Sequence, residues 1–483
     1  MKNCSVWKGS IENYPELTED LQRETLVVGG GLAGFLTAFA LREEGASVTL
    51  IEADRLFSGT TGKTTGKISC NQETVYYRLF KKYGRAVAKK YYLSQKTAQD
   101  GYLKLIEKYS INCNLAQADS YVFTDGDGAT LRANYKLLVG FGADCEWIEN
   151  LPAVNATYAL KMKGEYMFDV LKFVSGLPRN FEIYEKTRAV EINCDTNTVI
   201  TDKAKIKAQN IIVATHYPII NTHGGYIFKL RQLQSYLAAL STRLVDDMYL
   251  DGRSDGLTLR PYFGGTIIGG GDHRTGRCAA TDKFGNLKEH AEKLFGTDNF
   301  THGWCAEDVM TADGMPMAGR YWKNSSGIYV ITGFNKWGMT NALACAELIR
   351  DMILGHENEN TSLFAPDRKI SGAFADYLKN SLVTAKDVLK SYLGINFKTR
   401  KRIPADSGKV VRYCGKKRAV FKDANGKLYV IGSRCPHLRG ELQWNSNSKC
   451  WECPCHGSRF DIYGNIVSEP ATKACKCNCE DAD

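Results

Sequence analysis

Two thiols and two imidazoles near the end of the chain have the spacing of a metal site. Cys435-Pro436-His437 is followed, after fifteen residues, by Cys453-Pro454-Cys455-His456, giving C-x-H-x15-C-x-x-H. Two of the eight histidines of the chain fall here. A zinc ion could take two Cys and two His, but structural zinc fingers usually pair Cys with Cys and His with His along the chain. Here each loop supplies one of each. That division suits a two-iron cluster, in which one iron takes both thiolates and the other both imidazoles. Cys435, His437, Cys453 and His456 are the candidate ligands.

A second stretch lies near the other end. Gly29-Gly30-Gly31-Leu32-Ala33-Gly34 fits G-x-G-x-x-G, between a strand-like Leu26-Val27-Val28 and a helix predicted over residues 32–44. Gly29 permits a tight turn, Gly31 lets backbone approach a pyrophosphate, and Gly34 lets helix and strand pack closely. The helix N-terminus then faces phosphate. Glu52 ends the next strand, 23 residues after the first glycine, where a carboxylate can accept from a ribose hydroxyl. Gly269-Gly270-Gly271 does not repeat the motif, because Arg274 takes the third place. One dinucleotide site at the extreme N-terminus suits a permanently held FAD better than a pair of cofactors.

These stretches need a scaffold. From the first glycine motif to about residue 365, strand-like and helical segments alternate. Asn210–Thr215, Leu257–Gly271 and Gly327–Gly333 read as strands or strand-turn units, and Thr340–Leu354 as a helix. After Pro366, apolar residues at helical spacing (Phe374, Leu378, Leu382, Ala385, Leu389, Leu393) predict a helical tether with one apolar face. From about 403 the pattern changes to short strands, with Asn425-Gly426 as a hairpin turn. Three domains are expected: a body over 1–365, a tether over 366–402 and a small β domain over 403–483.

Composition agrees with a soluble globular chain: 43% hydrophobic, 24% charged, net charge +10. That charge is no nucleic-acid footprint by itself. The basic run Lys398–Arg402 reads as a solvated linker. The N-terminus has no apolar signal core, and the longest apolar run, Leu26–Leu41, is too short for a membrane span. Nine of the sixteen cysteines precede residue 420 without regular spacing, as buried thiols in a reducing cytoplasm would.

The order of "FEIYEKTRAVEI", "IKAQNIIVATH", "DGMPMAG" and "ITGFNKWGMTNALACAELI" resembles the glycine oxidase and D-amino-acid oxidase flavoproteins over residues 20–360. The resemblance implies an α/β fold, a Rossmann-like FAD-binding domain interleaved with a mixed-sheet substrate domain. It implies roles as well. Glu52 would hold the adenosine ribose, Ala189 would contact adenine through its backbone, and Ala214-Thr215 would lie against the nucleotide. Gly59–Ser69, with Thr60, Thr61, Thr64 and Thr65, would wrap the pyrophosphate and flavin. Gly333 belongs to the last motif, and Gly338, Met339 and Thr340 would open a helix aimed at the flavin N1–C2=O edge, where reduced flavin is anionic. The family's carboxylate-clamping arginine is replaced by Lys336, followed by Trp337. A lysine is a point charge rather than a bidentate fork, which puts a carboxylate clamp in doubt. Arg260, His273 and Arg274 are other candidates on the substrate side.

"CPCHGSRFDIYGNIVSEPA" and the hairpin before it resemble the Rieske [2Fe-2S] proteins over residues 403–474, which implies a small all-β C-terminal domain. Two departures stand out. Many Rieske proteins join an extra cysteine in each loop by a disulfide; Cys455 is present, but Gly440 stands where its partner is expected, leaving Cys455 free or paired elsewhere, for instance with Cys450. Phe460 stands where high-potential centres carry a tyrosine hydroxyl. That predicts a potential toward the low part of the roughly −150 to +300 mV Rieske range. Cys475, Cys477 and Cys479 lie beyond the resemblance and read as a flexible, solvent-facing tail.

Together these imply a cytoplasmic FAD-dependent oxidoreductase that takes a hydride from a C–H beside an amine nitrogen of a small molecule. No catalytic base need be invoked if the neutral amine gives hydride directly. The [2Fe-2S] cluster would exchange electrons singly with a carrier protein, with no nucleic-acid partner and no membrane span. The alternatives are a reductase or oxygenase fed through the cluster, and a non-catalytic redox sensor or carrier.

Overall fold

The computed structural model describes residues 1–220, 222–253, 256–277, 281–368, 382–383 and 403–477. Most of the expected tether and the Lys398–Arg402 run lie outside the described residues.

The first sheet grows from Leu21–Val28, which pairs in parallel with Val48–Ile51 on one side and Lys205–Val213 on the other. Ile328–Thr332 continues it in parallel, and Met317–Arg320 closes that edge antiparallel. Leu26, Val27, Val28 and all four residues of Val48–Ile51 are buried, as strands covered on both faces must be. The covering helices are Leu32–Glu43 and Gly338–Leu354, which pack on each other. The second of these begins two residues earlier than its apolar pattern predicts.

A second, nine-stranded mixed sheet is threaded between these elements. Its long strands Leu230–Leu240, Gly265–Arg274 and Phe300–Thr311 pair antiparallel, and along the end of the first, Leu237 and Ala239 face one core while Tyr236, Ala238 and Leu240 face another. The stretch Leu257–Gly271 is the hairpin Thr258–Tyr262 and Gly265–Arg274. Among the described residues no helix is long and apolar enough to cross a membrane.

The C-terminal part is all β. Ser407–Tyr413, Lys416–Lys422 and Leu428–Gly432 form a meander, and Gln443–Asn445, Cys450–Glu452, Arg459–Phe460 and Ile466–Ser468 form a second small sheet. The expected Asn425-Gly426 turn is present. Gly426 takes φ +88°, and Asp423 accepts hydrogen bonds from the amides of Asn425 and Lys427. The other hairpin turns on Cys414 and Gly415, both at positive φ, which matches strand twist. The tail does not all face solvent. Cys475 is buried and its thiol donates to the carbonyls of Gly432 and Arg434 at 3.3 Å, under the first candidate cluster loop. Cys477 is half-buried, and Cys479 lies outside the described residues.

Candidate functional site

The glycine turn behaves as its spacing demands. Gly29 has φ +115°, and a Cβ there would lie 2.5 Å from the Ala214 carbonyl oxygen. A Cβ on Gly34 would lie 2.0 Å from the Gly29 oxygen. At Gly31 the nearest atom to such a Cβ is Thr61 Oγ1 at 3.5 Å, so this backbone faces open space. That space is a cavity of about 680 Å³, within the usual range for cofactor sites. Gly29, Gly31, Glu52, Thr60, Thr61, Thr64, Thr65, Ala189, Ala214, Gly333, Gly338 and Met339 all border it. The cradle fits a dinucleotide: open helix N-terminus, close backbone, and a carboxylate beyond. Glu52 accepts from the Gly30 and Asp54 amides, and burial pushes its carboxyl up to about 7. Gly34 packs helix on strand and does not border the cavity. Thr340 does not border it either; its hydroxyl donates to Gln95 and accepts from Gln72 within the helix packing.

The substrate side is set by a strained turn. After Ile328–Thr332 the chain passes through Gly333, Asn335 and Lys336, all at positive φ. Left-handed conformations in successive non-glycine residues persist only where the surroundings enforce them. Here Asn335 is buried and accepts from the Thr311 amide, while Lys336 forms an ion pair with Asp272 of the second sheet. Burial pushes the Lys336 ammonium down, but the charges of Asp272, Glu73 and Asp308, with the Asp272 hydrogen bond, together outweigh it and leave it above its usual value. Trp337 borders the cavity beside them. Arg260 does not border it. Its guanidinium is buried against the carbonyls of Gly66 and Pro261. Arg274 donates to the Cys455 carbonyl, and His273 stacks on Tyr236, so neither is placed at the substrate side.

Several cavity residues carry no local sequence signal. Asp308 borders the cavity close to Lys336 and Asp272, and burial pushes its carboxyl up to about 7. Lys67 borders it too. Its ammonium donates to Thr258 Oγ1 at 2.6 Å, and burial, with the Arg260 charge, pulls it down to about 7. Glu73 and His216 also border the cavity, and His216 Nε2 is buried with no hydrogen-bond partner among the described residues. They come from distant segments of the chain, and only the fold brings them to one cavity.

The C-terminal loops bring the four candidate ligands together. The rings of His437 and His456 lie 5.0 Å apart at 86°. The Cys435 thiol lies within hydrogen-bond reach of Cys453 and of the Ser458 hydroxyl. His456 is buried, and its Nδ1 has no hydrogen-bond partner among the described residues. Burial pulls both imidazoles toward the neutral, ligating form, to about 4 for His437 and about 3 for His456. The four divide into a thiol pair, Cys435 with Cys453, and an imidazole pair, His437 with His456, which fits a two-iron group. A Cβ on Gly440 would stand 2.6 Å from Cys455 Sγ, so the missing partner position does face Cys455. The Cys450 thiol is free, and no disulfide joins it to Cys455.

The small domain is docked, not merely attached. Arg459 is buried between Glu307 of the body and its own Glu452, at 3.3 and 3.5 Å. Asn445 donates to the Tyr236 hydroxyl, and Glu452 accepts from the Gly276 amide. The ring of Tyr217 lies 6.4 Å from that of His456.

Comparison with known proteins agrees with this division. Residues 24–352 match the family model "FAD dependent oxidoreductase", and residues 397–478 match "Rieske [2Fe-2S] domain". The chain is 30% identical to the Rieske 2Fe-2S iron-sulfur protein YhfW of Bacillus subtilis, over 98% of this chain and 97% of that one. Its fold is similar to glycine oxidase from Geobacillus kaustophilus (TM-score 0.61, 17% identity, 72% of this chain and 100% of that one). It is also similar to L-amino acid deaminase from Proteus vulgaris (TM-score 0.56, 16% identity, 75% of this chain and 96% of that one).

Proposed function

The chain belongs to the FAD dependent oxidoreductase family and carries a Rieske [2Fe-2S] domain, and on that premise we propose that it oxidises a cationic amine and exchanges the electrons with a one-electron carrier through the cluster. When bound, FAD supplies two-electron hydride acceptance and the [2Fe-2S] group one-electron transfer. The observation that carries the reading is the Lys336–Asp272 pair with Asp308 beside it in the cavity wall. The glycine oxidase and amino acid deaminase neighbours act, by their names, on amino acids, which supports chemistry at a C–N bond. In this chain, however, Asp272 neutralises the lysine at the carboxylate-clamp position. Asp272, Asp308 and Glu73 favour an ammonium group in that part of the cavity, so an amine without a carboxylate fits best.

An ammonium must lose a proton before its neighbouring C–H can leave as hydride. Asp308, poised near neutrality by burial, is the group to accept that proton. Lys336 holds Asp272 in place, and Trp337 shields the site from water.

Cys435 and Cys453 would hold one iron, and His437 and His456 the other. Residues 214–217 support a connection between the two sites: Ala214, Thr215 and His216 border the cavity, and Tyr217 meets His456 on the far side. His456 is buried beside Tyr217 of the body, whereas His437 is only half-buried, which supports an external carrier meeting the cluster on the His437 side.

Anaerobic mixing with a panel of amines, with and without carboxylates, tests this. Amines lacking a carboxylate should bleach the flavin, followed by the electron paramagnetic resonance signal of the reduced cluster. Reduction by a reduced carrier protein and by no amine would overturn it in favour of a reductase.

A further inference from the structure

The cavity is not closed by the flavoprotein body alone. Ile466, Val467, Glu469 and Thr472, all from the Rieske domain, stand in its wall. They meet it at a definite place. The Glu469 carboxylate pairs with Arg188 at 2.9 Å. Arg188 precedes Ala189, and both border the cavity with Glu52, at the end where the adenosine half of a dinucleotide belongs. Val467 is one of the few large apolar side chains left accessible, 43% exposed, although it borders a cavity that a flat aromatic base would fill.

The segment is held there from both sides. Gln232 Nε2 donates to the Glu469 carbonyl at 2.8 Å, and Ser468 Oγ to Glu307 at 3.3 Å. Docking of the cluster domain therefore brings an apolar side chain and a charged pair to the adenosine end.

We propose that the Rieske domain forms part of the FAD site, with Ile466, Val467 and the Glu469–Arg188 pair covering the adenosine half, so that FAD is retained only while the domain is docked. The second domain then does two things at once: it carries the cluster and it locks the cofactor that the cluster serves. This holds whatever the substrate is.

The test is the rate of FAD release from the holoenzyme after dilution, read from the fluorescence of free flavin, with cluster content followed by electron paramagnetic resonance. Val467→Ala removes apolar wall without adding charge and should speed release about fivefold. Val467→Asp places a carboxylate against the base and should speed it further, with the cluster signal retained in both. An unchanged release rate in Val467→Ala overturns the proposal, whether or not Val467→Asp keeps its cluster. Fast release in both variants with full cluster content supports it.

Discussion

Cys435 and His437 come from the loop that joins the two small sheets of the β domain, and Cys453 and His456 from a loop within the second of them, whereas the cavity wall draws on segments from Val28 to Thr472. The first site is compact: Cys435, Cys453 and His456 are buried, and the Cys435 and Cys453 thiols lie within hydrogen-bond reach of each other. The second is a void whose polar residues are held apart by two sheets. A redox cluster needs fixed ligands and a short path; a site that admits substrate needs volume and side chains aimed into it. The two are joined across a buried polar seam of Arg459, Glu307, Glu452 and Asn445, which makes the contrast testable from either side.

The largest expected effect falls on the open site. Asp308→Asn should lower kcat/KM for amine oxidation about a thousandfold and leave the cluster signal unchanged. The pH dependence gives a second reading. Asp308 must be ionised to accept a proton, so kcat/KM should rise as pH passes about 7, and that inflection should vanish in the Asn variant. Stability moves the other way. Burial raises this carboxyl above its ordinary 3.8, so the fold holds the proton more tightly than the unfolded chain. The stability it confers is present at low pH and is lost as pH rises toward 7. Asn stays neutral, so the variant should lose less stability than the parent over that window, measured by urea unfolding at several pH values. A variant with lowered activity and an unchanged inflection would remove Asp308 from the proton-accepting role.

The contrast between the sites also explains what the sequence could disclose. Each local motif brought its own geometry. The Gly29–Gly34 turn, the Asn425-Gly426 hairpin and the two Cys/His loops are all written within a few residues, because a tight turn or a pair of adjacent ligands is a short-range constraint. Asp272 and Asp308 are different. They lie on separate strands and act together only because Leu230–Leu240 runs between Gly265–Arg274 and Phe300–Thr311 in the second sheet. The wall formed by Val467 and Glu469 needed the docking of a whole domain. Thr340 was read from its place at a helix start, but packing turned its side chain to Gln95. The Cys475 tail looked solvent-facing because burial against the Gly432 and Arg434 carbonyls leaves no pattern in sequence.

The seam itself should carry a smaller but measurable share. Glu307 is buried, accepts from Ser468 and faces Arg459. Removing one partner of a buried pair leaves the other charge poorly compensated. Glu307→Gln keeps the shape and removes the charge, and should cost about 3 kcal/mol in denaturant unfolding. If the loss appears in the transition followed by flavin fluorescence as well as in that followed by cluster absorbance, the two sites fold as one unit. If only the cluster transition moves, the seam serves the small domain alone.

The smallest effect belongs to the closed site, and it depends on packing. Phe460 is fully buried and sits opposite Trp451 in the strand pair next to the second cluster loop. Rieske centres of high potential have a tyrosine hydroxyl at the corresponding place, by the resemblance described above. A hydrogen bond of about 1 kcal/mol that favours the reduced form is worth roughly 40 mV for a one-electron couple. Phe460→Tyr should therefore raise the cluster midpoint by about that amount in voltammetry. The site is compact, so the added oxygen has few places to go. If it reaches a cluster sulfur, the potential rises with little loss of stability. If it finds no partner, the buried hydroxyl costs about 1–3 kcal/mol of stability and the potential stays where it was. The second outcome would mean that this core is closed around phenylalanine and that one absent hydrogen bond does not set the potential.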